Sequence, residues 1–212
     1  MTKKALLAVV GPTASGKTSL AIEIAKKFNG EIVSCDSMQV YKGLHISTAQ
    51  PTEEEMQGVK HHLIGFLDAT VNFSVGEYQK LARDTIKDIQ KRGILPILCG
   101  GTGLYADSVI YNMDLASVGE NEEIRSKYTE YYKKNGAQAL YGLILKKAPE
   151  AAKKIHPNNL NRVIRALEVY DLTGKSKKEY YNSNMKQMYY ENTLLVGAIW
   201  ERNELYERIN KR

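Results

Sequence analysis

The sequence predicts an α/β fold: a parallel sheet with helices on both faces, carrying a helical insertion. Three observations predict it. Short apolar runs alternate with helical patterns from residue 5 to about residue 114, as in chains that wind a parallel sheet. The first apolar run passes directly into Gly11-Pro12-Thr13-Ala14-Ser15-Gly16-Lys17-Thr18, which fits the phosphate-binding pattern G-x-x-x-x-G-K-[ST]. Clusters of polar and glycine residues then follow the apolar runs, at the carboxyl ends of strands, where such sheets hold ligands.

Taken in order, Ala5–Val10 reads as a buried strand and 17–27 as an amphipathic helix, with the glycine-rich loop between them. Strand, loop and helix are the context that the pattern requires. The amides of Gly11 to Thr18 would surround a di- or triphosphate. Lys17 would place a point charge on the outer phosphates, and Thr18 would offer its hydroxyl to Mg2+. Further strands are predicted at 31–35, 62–67, 94–98 and 194–200, and helices at 76–92 and 104–112. From 115 to 157 helical periodicity continues, at 121–134 and 136–147, without a strand. A helix from Asn158 to about Leu172 closes at Thr173-Gly174 and could belong to either part. The expected organisation is a P-loop core over 1–114, a helical insertion over 115–157 that could reach about 190, and a return to the core over 191–212. The chain stops at Lys211-Arg212 inside a helical pattern, so a truncated chain is expected.

No apolar run approaches the roughly 18 residues of a membrane helix, and Met1-Thr2-Lys3-Lys4 leads straight into a core strand, leaving no room for a signal peptide. Cys35 and Cys99 each end a predicted strand and read as buried thiols, pointing to the reducing cytoplasm. The net charge of +6 lies entirely in residues 117–190, which hold 14 Lys/Arg against 8 Asp/Glu. The same segment holds Tyr128, Tyr131, Tyr132, Tyr141, Tyr170, Tyr180, Tyr181, Tyr189 and Tyr190. Two readings follow: a nucleic-acid surface, where cations meet phosphates and rings meet unstacked bases, or a solvated helical face over core tyrosines.

The chemistry is read at the strand ends. P-loop hydrolases end an apolar strand in an acid that holds magnesium, but here the 94–98 strand runs into Gly100-Gly101-Thr102-Gly103. Asp36, after the second strand, is the strand-end acid. It can hold magnesium or act as a general base, and the lack of a second acid favours transfer over hydrolysis. His61 and His62 are adjacent, so on a strand they point to opposite faces and do not share a metal.

The segment Asp36-Ser37-Met38-Gln39-Val40-Tyr41-Lys42-Gly43-Leu44-His45-Ile46-Ser47-Thr48-Ala49, taken with the loop, closely resembles the tRNA dimethylallyltransferases (tRNA isopentenyltransferases). Further family-like blocks stand in order: His61-His62-Leu63-Ile64, Phe73-Ser74-Val75, Gly100 to Tyr105, His156 to Asn159, Arg162 to Val169 and Arg208-Ile209-Asn210. Two departures are Gly65, where the family usually has an acid, and Glu201-Arg202, where it usually has Asp-Arg. The resemblance implies transfer of a dimethylallyl group from dimethylallyl diphosphate to N6 of an adenosine beside the tRNA anticodon. It implies Asp36 as the base and Thr102 as a contact to the acceptor adenine. Ser37, Met38 and Gln39 would grip the tRNA, with Arg125 as a further tRNA contact. Arg165 and Arg202 would carry charge to the diphosphate, with Arg162 in reserve. The partners implied are the anticodon stem-loop of tRNA and the allylic diphosphate; a monomer with no membrane partner is expected. An adenylate isopentenyltransferase acting on free nucleotide and a P-loop small-molecule kinase remain as alternatives.

Overall fold

The structure, a computed structural model, describes residues 5–113, 115, 119–174 and 187–211. Tyr180, Tyr181 and Arg212 lie outside the described residues. The chain divides into two compact units, Met1–Asn112 with Met188–Arg212, and Met113–Gln187.

The first unit is built on a parallel sheet of β1 (Ala5–Val10), β2 (Gly30–Ser34), β3 (His61–His62), β4 (Leu95–Gly100) and β5 (Asn192–Gly197), in the order β3-β2-β4-β1-β5. Leu6 and Ala8 of β1 face one side, with Val33, Cys35 and Leu98; Leu7 and Val9 face the other, with Ile32, Ile97 and Cys99. Both faces are covered by helices, which is why these strands read as continuous apolar runs rather than alternating ones. On the second face α1 (Lys17–Phe28) buries Ala21, Ile22 and Ala25. On the first, α4 (Val75–Lys91) and α5 (Gly103–Ile110) pack with Tyr78 stacked on Tyr105 at 4.0 Å. α4 follows two one-turn helices, α2 (His45–Thr48) and α3 (Glu53–Met56). It opens with a capping box in which the Ser74 hydroxyl accepts from the Glu77 amide and the Glu77 carboxylate accepts from the Ser74 amide. Its Tyr78, Ala82, Ile86 and Ile89 recur at helical spacing and are fully buried. Each isoleucine contributes about 1.5–3 kcal/mol by burial.

The expected strand over 62–67 is shortened to two residues. Leu63 (φ 62°) and Gly65 (φ 56°) enter the left-handed region, so the chain leaves the sheet, and the Phe66 and Leu67 amides donate to Val40 O instead. Glu31 of β2 ties β3 to the end of α4: it accepts two bonds from Arg92, both 2.6 Å, and meets His62 Nε2 at 2.7 Å. His61 turns the other way, its Nδ1 2.9 Å from Val59 O. The strand expected at 194–200 begins earlier and stops at Gly197, and α9 (Arg202–Asn210) follows it.

The second unit is helical: α6 (Glu122–Lys147), α7 (Pro149–Ala152) and α8 (Leu160–Thr173). α6 breaks at Gly136, whose φ of 83° and ψ of 174° interrupt the helix between the two expected segments. Tyr128, Leu140, Ile144, Val163, Ala166 and Leu167 form the core of this unit, and Tyr131, Tyr132, Tyr141 and Tyr170 pack against it. These tyrosines therefore follow the second reading of the basic segment: they are packing residues, not a surface of open rings.

Candidate active site

The phosphate loop joins β1 to α1. Ala14 (φ 63°) and Gly16 (φ 86°) take left-handed backbone, curling the loop over the start of α1. Gly16 is the N-cap residue of that helix and makes no side-chain cap. The amides of the first turn are therefore available to an anion, on the positive end of the helix dipole. Lys17 Nζ lies 2.5 Å from Pro12 O. Ser15 is 3% exposed, and its hydroxyl has no partner among the described residues.

The ends of β2 and β4 are fused beside this loop. Cys35 N donates to Cys99 O at 2.8 Å, and Thr102 N donates to Cys35 O at 3.1 Å. This approach requires Gly100, because a Cβ there would stand 2.1 Å from Cys35 O. Both cysteines are buried as expected; burial pushes the Cys35 thiol up to about 12 and the Cys99 thiol to about 11, so both stay protonated. Asp36 follows immediately. Its Oδ1 accepts from the Met38 amide at 2.9 Å and the Gln39 amide at 3.4 Å. Among the described residues Oδ2 accepts no hydrogen bond, so one carboxylate oxygen is held and the other is unbonded.

Thr102 sits across from Asp36. Its hydroxyl accepts from the Ser37 amide at 3.0 Å and donates to Ser37 Oγ at 3.3 Å. Gln39 is locked too: its Nε2 donates to Thr48 O at 3.2 Å and Ala49 O at 3.0 Å. Gln50, which sequence reasoning passed over, is 5% exposed and donates to Gln39 O and Tyr41 O, both at 2.8 Å. The segment after Asp36 is thus a braced turn, not a loose loop.

One cleft of about 460 Å³ gathers Thr13, Lys17, Thr18, Asp36, Met38 and Gln39. A second, of about 290 Å³, is lined by Gly11, Pro12, Thr102, Asp107, Tyr111 and Leu195. The Thr18 hydroxyl, on the first cleft, is a hard oxygen donor of the kind that suits Mg2+.

The arginines fall differently from expectation. Arg202 turns along its own helix, Nη2 3.4 Å from Tyr206 OH, and lines neither cleft. Arg208 takes the place against the loop instead: its Nε donates to Ala14 O at 2.8 Å, and it lines a cleft with Gly16, Lys17, Thr18 and Ser19. Trp200 Nε1 donates to the next carbonyl, Ser15 O, at 3.0 Å. The Arg208-Ile209-Asn210 block was the available signal, but nothing in the sequence told which arginine of the helix reaches the loop.

Arg165 and Arg125, in the second unit, are committed to Glu168, which is fully buried. Arg165 Nη1 donates to Glu168 Oε2 at 2.7 Å and Gly119 O at 3.2 Å. Arg125 Nε donates to Glu168 Oε1 at 2.9 Å, and its Nη1 pairs with Glu120 at 2.8 Å. Burial works against the charge on Glu168, but bonds from Arg165, the Asn121 amide and Arg125 hold its carboxyl below the usual range. These two cations are structural partners of a buried acid. Among the described residues Lys133, Lys134, Lys146, Lys154 and Arg162 make no ion pair, and they lie exposed.

Fold and loop together define a P-loop α/β protein whose strand-end carboxylate, Asp36, shares a cleft with Lys17 of the loop. The IPP transferase family model matches residues 39–212, and the chain belongs to that family. It is 49% identical over 209 residues to a tRNA dimethylallyltransferase of Thermoanaerobacter sp. (strain X514), covering 98% of this chain and 66% of that one. It is 45% identical to a tRNA dimethylallyltransferase of Bacillus subtilis (strain 168), covering 100% of this chain and 67% of the relative. The chain thus spans about two thirds of the length of these relatives. Among solved structures it resembles the tRNA isopentenylpyrophosphate transferase of Bacillus halodurans, with a TM-score of 0.63 and 46% identity over 99% of this chain and 64% of that one. It also resembles a eukaryotic dimethylallyltransferase described as acting on tRNA, with a TM-score of 0.82 and 29% identity over 99% of this chain and 52% of that one.

Proposed function

We propose that this chain transfers a dimethylallyl group from dimethylallyl diphosphate to N6 of an adenosine next to the tRNA anticodon, releasing diphosphate. The observation that carries the reading is the shared cleft: Asp36, with one oxygen held by two amides, opens onto the same space as Lys17 and Thr18. The loop amides and Lys17 bind the diphosphate and stabilise it as it leaves. The allylic C–O bond breaks with its electron pair going to the diphosphate. The N6 lone pair forms the new C–N bond, and the N6 proton passes to Asp36 Oδ2. Mg2+, held on the Thr18 side of the cleft, would neutralise diphosphate charge when bound. Thr102 and the braced turn through Gln39 position Asp36 and shape the entry for a base drawn out of its stack.

The names of the family members favour tRNA over free nucleotide as the acceptor, and the exposed cations of the second unit suit an RNA backbone. Among the described residues no helix is long and apolar enough to cross a membrane, and we place the enzyme in the cytoplasm with its tRNA. The test is incubation with radiolabelled dimethylallyl diphosphate and tRNA, followed by mapping of the labelled nucleoside. Label on N6 beside the anticodon supports the reading. Efficient labelling of adenosine monophosphate, with tRNA unlabelled, would make this a nucleotide enzyme; phosphate transfer from ATP without prenyl transfer would make it a kinase.

A further inference from the structure

A loop that turns its amides inward toward an anion must turn carbonyls outward, and those carbonyls need donors. In this chain the donors come from the far end of the same unit. Arg208 Nε reaches Ala14 O at 2.8 Å and Trp200 Nε1 reaches Ser15 O at 3.0 Å, on consecutive carbonyls of the loop. The two donors also brace each other: the Arg208 guanidinium lies over the Trp200 ring, 4.2 Å from its centroid. The conformation they meet is an unfavourable one. Ala14 is a non-glycine residue at φ 63°, which only a surrounding structure sustains. The loop also wraps the partnerless, 3% exposed hydroxyl of Ser15, which stands 2.9 Å from where a Cβ on Gly11 would be.

We propose that Trp200 and Arg208 form a clamp that holds the phosphate loop in its anion-accepting conformation, making both of them positioning residues for the bound diphosphate. Arg208 acts through Ala14 O by the fixed direction of its Nε–H, and Trp200 acts through Ser15 O and by stacking. A diphosphate binds at full affinity only to loops already so shaped, so loosening the clamp weakens binding by the fraction of loops that lose the shape. The proposal rests on the phosphate-binding part of the proposed function and is indifferent to which group is transferred.

The test is isothermal titration of the full chain with inorganic pyrophosphate and Mg2+, comparing wild type with Arg208→Lys, Trp200→Phe and the double variant. Lysine keeps the charge but loses the directed Nε–H and the planar stack; phenylalanine keeps a ring under Arg208 but loses the N–H. With a net hydrogen bond lost in each, affinity falls about fivefold per single variant and about thirtyfold in the double. In steady-state assays the KM for dimethylallyl diphosphate rises in parallel, while the KM for tRNA stays within about twofold, a selectivity that general unfolding does not give. Wild-type affinity in Arg208→Lys would reduce Arg208 to a plain charge, and wild-type affinity in Trp200→Phe would remove the indole from the clamp; either overturns the proposal. A wild-type chain that binds no pyrophosphate overturns the proposal together with the loop assignment. A chain that binds pyrophosphate, responds to both variants, yet transfers no prenyl group supports the clamp and refutes the proposed function. Should a variant fail to fold, the wild type still decides: the chain has one tryptophan, so its single indole N–H resonance must be protected from solvent exchange, and exchange at the rate of an exposed indole overturns the clamp.

Discussion

Replacing Gly100 with alanine should disable catalysis while leaving the fold standing. Gly100 ends β4 where the last residues of β2 cross to Asp36. A Cβ at this position would stand 2.1 Å from Cys35 O, 2.3 Å from its carbonyl carbon and 2.8 Å from its Cα. Real Cβ atoms essentially never come closer than 3.0 Å to such atoms, so the two strand ends must part by about 0.9 Å. All three atoms are backbone, so no side-chain rotation relieves the clash. Cys35 O is also the acceptor for Thr102 N at 3.1 Å, and Asp36 is the next residue. Parting the strands therefore moves the carboxylate and the Thr102 turn away from each other. Misplacement by about 1 Å costs about 10²-fold in rate, and overpacking of this kind costs about 1–3 kcal/mol of stability. The assay is single-turnover dimethylallyl transfer at saturating donor and tRNA, with circular dichroism melts alongside. Gly142→Ala is the control: its Cβ meets nothing within 4 Å in α6, and it should leave the rate unchanged. A Gly100→Ala rate within about threefold of wild type would refute the argument that this contact sets the position of Asp36.

Asp36→Asn keeps the shape and the bonds from the Met38 and Gln39 amides but cannot accept the N6 proton. Turnover should drop about 10²–10⁴-fold with tRNA affinity little changed; restoration of the rate by excess magnesium would instead mark Asp36 as a metal ligand. Replacing Lys133, Lys134, Lys146 and Arg162 with alanine should flatten the dependence of log K for tRNA on log salt, by about 2.8 to 3.6 if all four meet phosphates. Arg125 is left intact in that variant, since its removal would strip a partner from the buried Glu168; an unchanged slope would make the four cations a solvated face only. Hydrogen bonding from Arg92, against the cost of burial and with help from His62, holds the Glu31 carboxyl at about 2, below its ordinary 4.5. The folded state thus binds that proton more weakly than the unfolded state, so this stabilisation is present above about pH 4.5 and fades as pH falls toward 2. The gap in urea midpoint between wild type and Glu31→Gln should therefore shrink across that window, and a gap independent of pH would sink the assignment.

The local features of this protein were legible in its sequence. The apolar runs, the helical spacing of Tyr78, Ala82, Ile86 and Ile89, and the glycine pattern of the phosphate loop each lie within about twenty residues, where period and turn chemistry decide the outcome. Asp36 was legible too, because a strand-end acid needs only the strand before it. The one-turn helix α3 was also readable, since Thr52 and Glu55 form a capping box, but it was passed over. What the tertiary structure decided are the pairings between distant residues. Arg208 meets a residue 194 positions away and Trp200 one 185 away, while Arg202, equally basic and on the same helix, turns from the loop onto Tyr206. Arg125 and Arg165 read as open cations, yet both close on the carboxylate of Glu168, and the tyrosines around them fill a core. A charge in a sequence has no partner until the chain folds. Which acid or carbonyl a guanidinium meets depends on how helices pack, and no local period encodes that.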